Sequence, residues 1–260
     1  MSQKTVLLEV KDAIATITLD RPKALNSLND ELVDDLTETL EKVKKDDEIR
    51  VVVLTGNGKA FSAGGDLNYL VSIEDPICAR KFISKAGNIA SLVITMDKPV
   101  IAMVNGVAAG AGFNLALACD IVYCAESSRF GQSFAKVGLV PDCAGMFLLP
   151  KAVGTHKAKE LMFTGDLIDA KTALDLGVVN KVFPDETLRE ETYKFAKRLV
   201  RSAPISLSLM KKVINKSGDL DLDTATELEA DLQTICMKTA DHKEGVKAFM
   251  EKRAPVFKGK

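Results

Sequence analysis

Two stretches of this chain have residue types that could do chemistry. One is Ala60-Phe61-Ser62-Ala63-Gly64-Gly65-Asp66-Leu67, and the other runs from Val107 through Gly110-Ala111-Gly112 to Asn114. Each follows a short apolar run, Ile49 to Leu54 and Val100 to Val104, and each leads into a helical pattern. A turn of small residues that feeds a helix N-terminus leaves backbone N–H groups unpaired and aided by the helix dipole. Such donors can hold a phosphate, a carboxylate or a developing oxyanion. A tight packing joint between strand and helix would use the same residues, and the pattern alone leaves both readings open. A third candidate is Asp142, an acid beside the apolar Val140, Met146 and Phe147. It could move a proton, or it could cap a helix starting at Cys143.

Other constellations are missing from the sequence. There is no Gly-x-Ser-x-Gly elbow, no His-Glu-x-x-His and no P-loop. Gly110-x-Gly112 lacks the third glycine of a dinucleotide fingerprint, since Leu115 stands there. Two histidines and five scattered cysteines give no metal-ligand spacing, so no metal is expected.

The elements that position these stretches read as an α/β chain. Thr5 to Val10 and Ile14 to Leu19 form a hairpin signal around Lys11-Asp12. Asn29 caps a helix carrying Leu32, Leu36, Leu40 and Val43 at helical spacing. The pattern predicts a helix from Asp66 to Met96, stopped by Asp97-Lys98-Pro99. Ile121 to Cys124 and Val178 to Phe183 read as strands, and Arg129 to Gln132 as an extended piece. Cys143 to Val153 reads as a helix, with Thr155 and Asp169 as caps of two more. From Thr187 onward the chain is helical, Pro204 separates two helices, and Asp241 to Glu244 has capping-box spacing. We divide the chain into a core over 1–200 and a helical lid or oligomer-forming region over 201–260.

Composition bounds the function. The chain has 260 residues, 47% hydrophobic and 27% charged, as in a globular protein with a large core. A formal charge of -1 offers no field for nucleic acid or a membrane surface. An odd number of unpatterned cysteines suits free thiols in a reducing compartment, and no signal segment or membrane span is visible. A cytoplasmic location is the expectation.

The small-residue stretches, taken with the rest of the chain, resemble the crotonase (enoyl-CoA hydratase/isomerase) superfamily. The resemblance runs along Ile101 to Ile121, including Asn105-Gly106, Gly110-Ala111-Gly112 and Cys119-Asp120. It covers Asp20 to Asn26, Phe130-Gly131-Gln132, Leu161, Thr164-Gly165, Gly177-Val178-Val179 and the Lys252-Arg253-Pro255-Phe257 region. It implies a spiral of ββα units with a C-terminal helical trimerisation region. The implied assembly is a homotrimer or a dimer of trimers.

The resemblance also implies an acyl-CoA substrate and no further cofactor. Two backbone N–H groups would hold the thioester oxygen, and carried over by position these belong to Ala63 and Ala111. Two such donors are worth roughly 3 kcal/mol each in oxyanion sites. Lys23, Ala24 and Leu25 would border the pantetheine and adenine, and Ala63, Gly64, Gly65, Asp66 and Leu67 would line the adenine pocket. Phe249 and Lys252 would meet the nucleotide end. Between Gly245 and Lys260 five basic residues face one acid, Glu251, which suits the phosphates of CoA. Asp66 also stands where an N-cap would start the next helix.

The chemistry departs from that of hydratases, which use two glutamates. Their positions here hold Asn114 and Phe134, and neither side chain can take up a proton near neutral pH. The resemblance places an acid/base carboxylate of several isomerase branches at Asp142. The dehalogenase branch uses the same place with a histidine and a tryptophan in its site, and this chain has no Trp. Dienoyl-CoA isomerases need a further carboxylate at the positions of Asn114 or Phe134. We expect an isomerase working through an oxyanion-stabilised enolate, in an apolar lining of Leu70, Phe113, Phe134 and Phe147. The alternatives are a hydratase-like protein of weak or no activity, or a non-catalytic acyl-CoA-binding protein.

Overall fold

The structure, a computed structural model, describes residues 4–260. Two strands, β1 (Val6–Lys11) and β2 (Ile14–Leu19), pair antiparallel, and the turn between them puts Asp12 and Ala13 at positive φ. Helix α1 (Asp30–Lys45) follows, with the Asn29 side chain accepting from the Leu32 N–H as its cap. Its Leu32, Leu36, Leu40 and Val43 are buried, so the sequence period marks the face that meets the sheet.

A repeating path then builds two sheets. β3 (Val51–Gly56) enters the large sheet, β4 (Ala60–Ser62) the small one, and helices α2 (Leu67–Ser72) and α3 (Pro76–Thr95) return the chain. β5 (Val100–Val104) and β6 (Val107–Ala109) repeat this, with α4 (Ala111–Ala118) as the return. β7 (Ile121–Ala125) and β8 (Arg129–Gly131) make a third pass. A 3-10 turn over Ser133–Val137 leads to α5 (Gly145–Val153) and α6 (Thr155–Thr164). Then come β9 (Leu167–Asp169), α7 (Ala170–Asp175) and β10 (Lys181–Phe183). The six-stranded sheet has the order β1-β2-β3-β5-β7-β10 and the four-stranded sheet the order β4-β6-β8-β9. Strands β2, β3, β5, β7 and β10 run parallel, and β3 and β5 are buried on both faces, which is why they read as unbroken apolar runs.

Helices α8 (Leu188–Val200), α9 (Pro204–Ile214), α10 (Leu222–Lys238) and α11 (Ala240–Met250) close the chain. Lys211 of α9 is buried and reaches the Asp120 carboxylate at 2.7 Å and the Val93 and Lys98 carbonyls at 2.9 and 3.2 Å. It thereby ties the C-terminal helices to the residue just past α4. Leu222, Ile235, Met237, Phe249 and Met250 of α10 and α11 remain exposed.

Several expectations give way here. The predicted helix over 66–96 is two helices, because Ile73 ends α2 in an extended conformation and Asp75-Pro76 starts α3 with a new cap. Thr155 is the first residue of α6 and its cap position is Gly154, at φ +77°. Asp241 lies inside α11, where it accepts from the Lys258 and Gly259 N–H groups, while Thr239 does the capping. Val178 and Val179 are buried ahead of β10, which is shorter than the apolar run around it. Among the described residues no helix is long and apolar enough to cross a membrane, and no His, Cys, Asp and Glu cluster of metal-binding size occurs.

Candidate active site

The two small-residue turns are pressed together where β4 and β6 lie side by side. A Cβ on Gly64 would stand 2.7 Å from the Ala109 carbonyl oxygen and 3.3 Å from the Ala111 nitrogen. A Cβ on Gly112 would stand 2.3 Å from the Ser62 carbonyl oxygen. Neither contact tolerates a side chain, because the opposing atoms are backbone. Gly64 and Gly110 also hold φ +95° and +52°, a region that L side chains rarely adopt. The glycines are therefore fixed by close approach and by turn geometry together.

At these turns the structure corrects one sequence expectation. The Ala63 N–H donates to the Leu25 carbonyl at 2.9 Å, so it is committed to the fold and unavailable to a ligand. Gly64 then reverses the strand alternation through its positive φ. The chain pairs with Leu28 through the Gly64 carbonyl and the Asp66 N–H, leaving the intervening Gly65 N–H facing away. Among the described residues the Gly65 N–H meets no acceptor, and neither does the Ala111 N–H in the first turn of α4. The donor pair open to a ligand is Gly65 and Ala111. The signal in the sequence was the second glycine of Gly64-Gly65, whose predecessor must take the left-handed turn.

Lys23, Ala24 and Leu25 are brought to the same place. A 3-10 turn over Pro22–Ala24 presents them, and Leu25 and Asn26 follow at φ 50° and 56°. The buried Asn26 amide holds this segment by donating to the Asn57 and Ala60 carbonyls, and Ser62 Oγ donates to the Asn26 carbonyl. Asp66 caps α2 through the Tyr69 N–H and pairs with Arg21 at 3.0 Å, which agrees with its structural reading. Lys23, Leu25 and Leu67 are exposed around this cluster.

Phe249 and Lys252 stay with the C-terminal helices within one chain. The tail beyond them is fastened by the Lys260 carbonyl to the Ala240 N–H and by Phe257 to Arg50, at the start of β3. The basic cluster is partly neutralised as well, since Arg253 is engaged by Glu244 and Glu251. Phe113 departs from expectation. It is 1% exposed and packs on Phe130 in the core, with ring centroids 5.4 Å apart, so it lines nothing.

Asp142 does not cap α5. The cap position is Ala144, in the left-handed region, with no side chain bonded to the helix start. Cys143 and Ala144 are both non-glycine residues at positive φ, 45° and 62°. Two such residues in succession cost roughly 1–2 kcal/mol each. Strain of this kind persists where the surroundings over-determine it. Asp142 Oδ1 is buried with no hydrogen-bond partner. Burial pushes the Asp142 carboxyl above its ordinary value, and the Cys143 thiol beside it opposes that rise. An unpaired carboxylate in such a place is costly unless it is used or protonated.

Asn114 and Phe134, at the positions that the resemblance gives to hydratase glutamates, are both buried. Asn114 is fully buried on α4, with Nδ2 donating to the Asp142 carbonyl at 2.8 Å and Oδ1 accepting from Gln132 Nε2 at 2.7 Å. Phe134 is 7% exposed, with its ring 3.6 Å from where a Gly110 Cβ would be. Leu70 comes within 3.0 Å of the corresponding position on Gly65. Around Asp142, Leu139, Val140, Met146 and Phe147 are exposed, so they form an open apolar rim and Phe134 supplies the buried wall.

Comparison with known proteins says which family carries this fold and these paired turns. Residues 9–260 match the family model described as enoyl-CoA hydratase/isomerase. The chain is 41% identical over 261 residues to 1,2-epoxyphenylacetyl-CoA isomerase of Escherichia coli, covering 98% of each. It is 36% identical over 258 residues to crotonyl-CoA hydratase of Syntrophomonas wolfei, covering 99% of each. Among solved structures, an enoyl-CoA hydratase from Bacillus anthracis superimposes with a TM-score of 0.95 at 33% identity, over 98% of this chain and 100% of that one. The chain belongs to the enoyl-CoA hydratase/isomerase family and has the crotonase fold.

Proposed function

We propose that this protein is an acyl-CoA isomerase that shifts a double bond, or rearranges a related unsaturated or aryl thioester, through an enolate. The observation that carries this reading is the buried, unpartnered Asp142 oxygen beside a site whose hydratase positions hold Asn114 and Phe134. The thioester oxygen sits between the Gly65 and Ala111 N–H groups. For a 3-enoyl thioester, the Asp142 carboxylate takes a proton from C2. The C2–H electron pair moves into the carbonyl, giving a dienolate whose negative oxygen those N–H groups stabilise. The Asp142 carboxylic acid then returns its proton to C4, the carbonyl re-forms, and the double bond lies between C2 and C3. The aspartate ends as it began, and no cofactor is consumed. A carboxyl raised toward neutrality by burial is matched to a task in which it must act as base and then acid.

The hydratase names among the relatives favour water addition as a second reading. Hydration needs one group to activate water and another to deliver a proton. Asn114 can do neither while both halves of its amide are bonded, and Phe134 has no polar atom. Turnover of 3-hexenoyl-CoA and crotonyl-CoA by the same preparation separates the two readings. The expected result is isomerisation of the first, with hydration of the second slower by about two orders of magnitude or more. Comparable rates would reject the isomerase assignment.

A further inference from the structure

We propose that Asn114, oriented by Gln132, is the positioning residue that aims the carboxylate of Asp142. This rests on the acid/base reading of Asp142 given above. Asp142 Oδ1 has no partner among the described residues, and the thiol beside the carboxyl belongs to the next residue, Cys143, on the same turn. Both the carboxyl and that thiol take their direction from the backbone of this turn. That backbone enters two successive left-handed residues, Cys143 and Ala144, and is held on its carbonyl by the Asn114 amide and by the Gly145 N–H, each at 2.8 Å.

The Asn114 amide has only one workable orientation. The Gln132 amide N–H donates to Asn114 Oδ1, which turns Nδ2 toward the Asp142 carbonyl. Reversing it would set two carbonyl oxygens face to face. A Cβ at residue 145 would collide with the Asn114 amide whichever way it is turned, since Nδ2, Cγ and Oδ1 all lie too close for one. The glycine there makes room for the amide beneath the turn. Gln132 and Asn114 are both fully buried, and Gln132 Oε1 has no partner among the described residues. A carboxylate at position 114 could not donate to the Asp142 carbonyl. An ionised acid there and this turn are therefore incompatible, and the residue that removes hydratase chemistry is the one that places the isomerase acid.

Asn114→Asp tests this, because the isosteric acid can donate to the Asp142 carbonyl only when protonated. Asn114 is bonded to the Asp142 carbonyl, and the next titratable group along that turn is the Cys143 thiol, whose Sγ reaches the Ala86 carbonyl on α3. None of the buried residues of α3, α4 and α5 titrates. With 3-hexenoyl-CoA as probe, kcat of Asn114→Asp at pH 8 is expected to fall about 10- to 100-fold, with KM within about threefold of wild type. The deficit relative to wild type should shrink as pH is lowered. Gln132→Glu should show the same pH-dependent deficit, since an ionised glutamate cannot donate to Asn114 Oδ1, and it serves if Asn114→Asp fails to fold. Asn114→Ala should lose kcat without recovery at low pH. A wild-type kcat in Asn114→Asp, or a deficit equal at every pH in both acidic variants, would overturn the positioning role. Assaying Asp142→Asn alongside separates the two readings. If it is inactive while Asn114→Asp is unimpaired, only the positioning role fails; if it retains full turnover, both fail.

Discussion

Asp142→Asn should abolish isomerisation of 3-hexenoyl-CoA while making the protein more stable at neutral pH. The loss of rate follows from the mechanism, since an amide can neither take the C2 proton nor return one to C4. A positioned acid/base group contributes about 10²- to 10⁴-fold, so the variant should fall by at least the lower figure. The gain in stability follows from burial, which raises the carboxyl in the folded protein above its ordinary value. The folded state then binds more protons than the unfolded state between the unfolded and folded values. Stability from this group is fully present below the unfolded value and is lost as pH rises through the folded one. At neutral pH the wild type carries that loss and the asparagine variant does not. Denaturant melts of both proteins at acid and neutral pH should therefore show the variant's advantage only at neutral pH. The rate of the wild type should fall on the acid side with a midpoint above the usual carboxylate range, as expected of a base that must be ionised. Retained turnover in Asp142→Asn, or a wild type that is the more stable protein at neutral pH, would contradict this.

Gly64→Ala should be nearly as damaging to catalysis through an unrelated cause. Its Cβ would meet the Ala109 carbonyl oxygen at 2.7 Å, and that oxygen belongs to backbone that frames the donor pair. The turns must separate, which moves the Gly65 and Ala111 N–H groups out of register for one oxygen. Losing one oxyanion donor costs about 10²- to 10³-fold in kcat, and that is the expected range. Gly154→Ala is the control. Gly154 also sits at positive φ, +77°, but a Cβ there meets nothing within 4 Å. It should cost about 1–3 kcal/mol in stability from backbone strain and leave kcat unchanged. Equal kcat values for the two variants would show that approach of the two turns is not what the site depends on.

The donor pair illustrates how much of the site was legible in the sequence. Ala111 could be placed because it follows the Gly110 turn and begins a helix, where first-turn N–H groups are unpaired in any sequence. Ala63 was misplaced because occupancy of its N–H depends on Leu25, 38 positions earlier, which no local pattern reveals. Asp142 stood out as an acid among apolar residues, but its capping role failed on Cys143 and Ala144. Neither residue type advertises a left-handed conformation. The grip of Gln132 and Asn114 on that turn was equally hidden, since it joins β8, α4 and the α5 approach only after the sheets assemble. Strands β3 and β5 were easy because unbroken valine and isoleucine runs have one common use in an α/β fold. The short strands β4, β6 and β9 were not, because three residues carry no period.

Tracing the transferred hydrogen tests the single-carboxylate mechanism most directly. 3-Hexenoyl-CoA carrying deuterium at C2 would be converted in ordinary water and the product examined at C4 after the first turnovers. One buried aspartate that removes and returns the same hydrogen predicts product with deuterium at C4 in a measurable fraction of molecules. Product carrying only solvent hydrogen at C4 would contradict it and point to separate groups for removal and return.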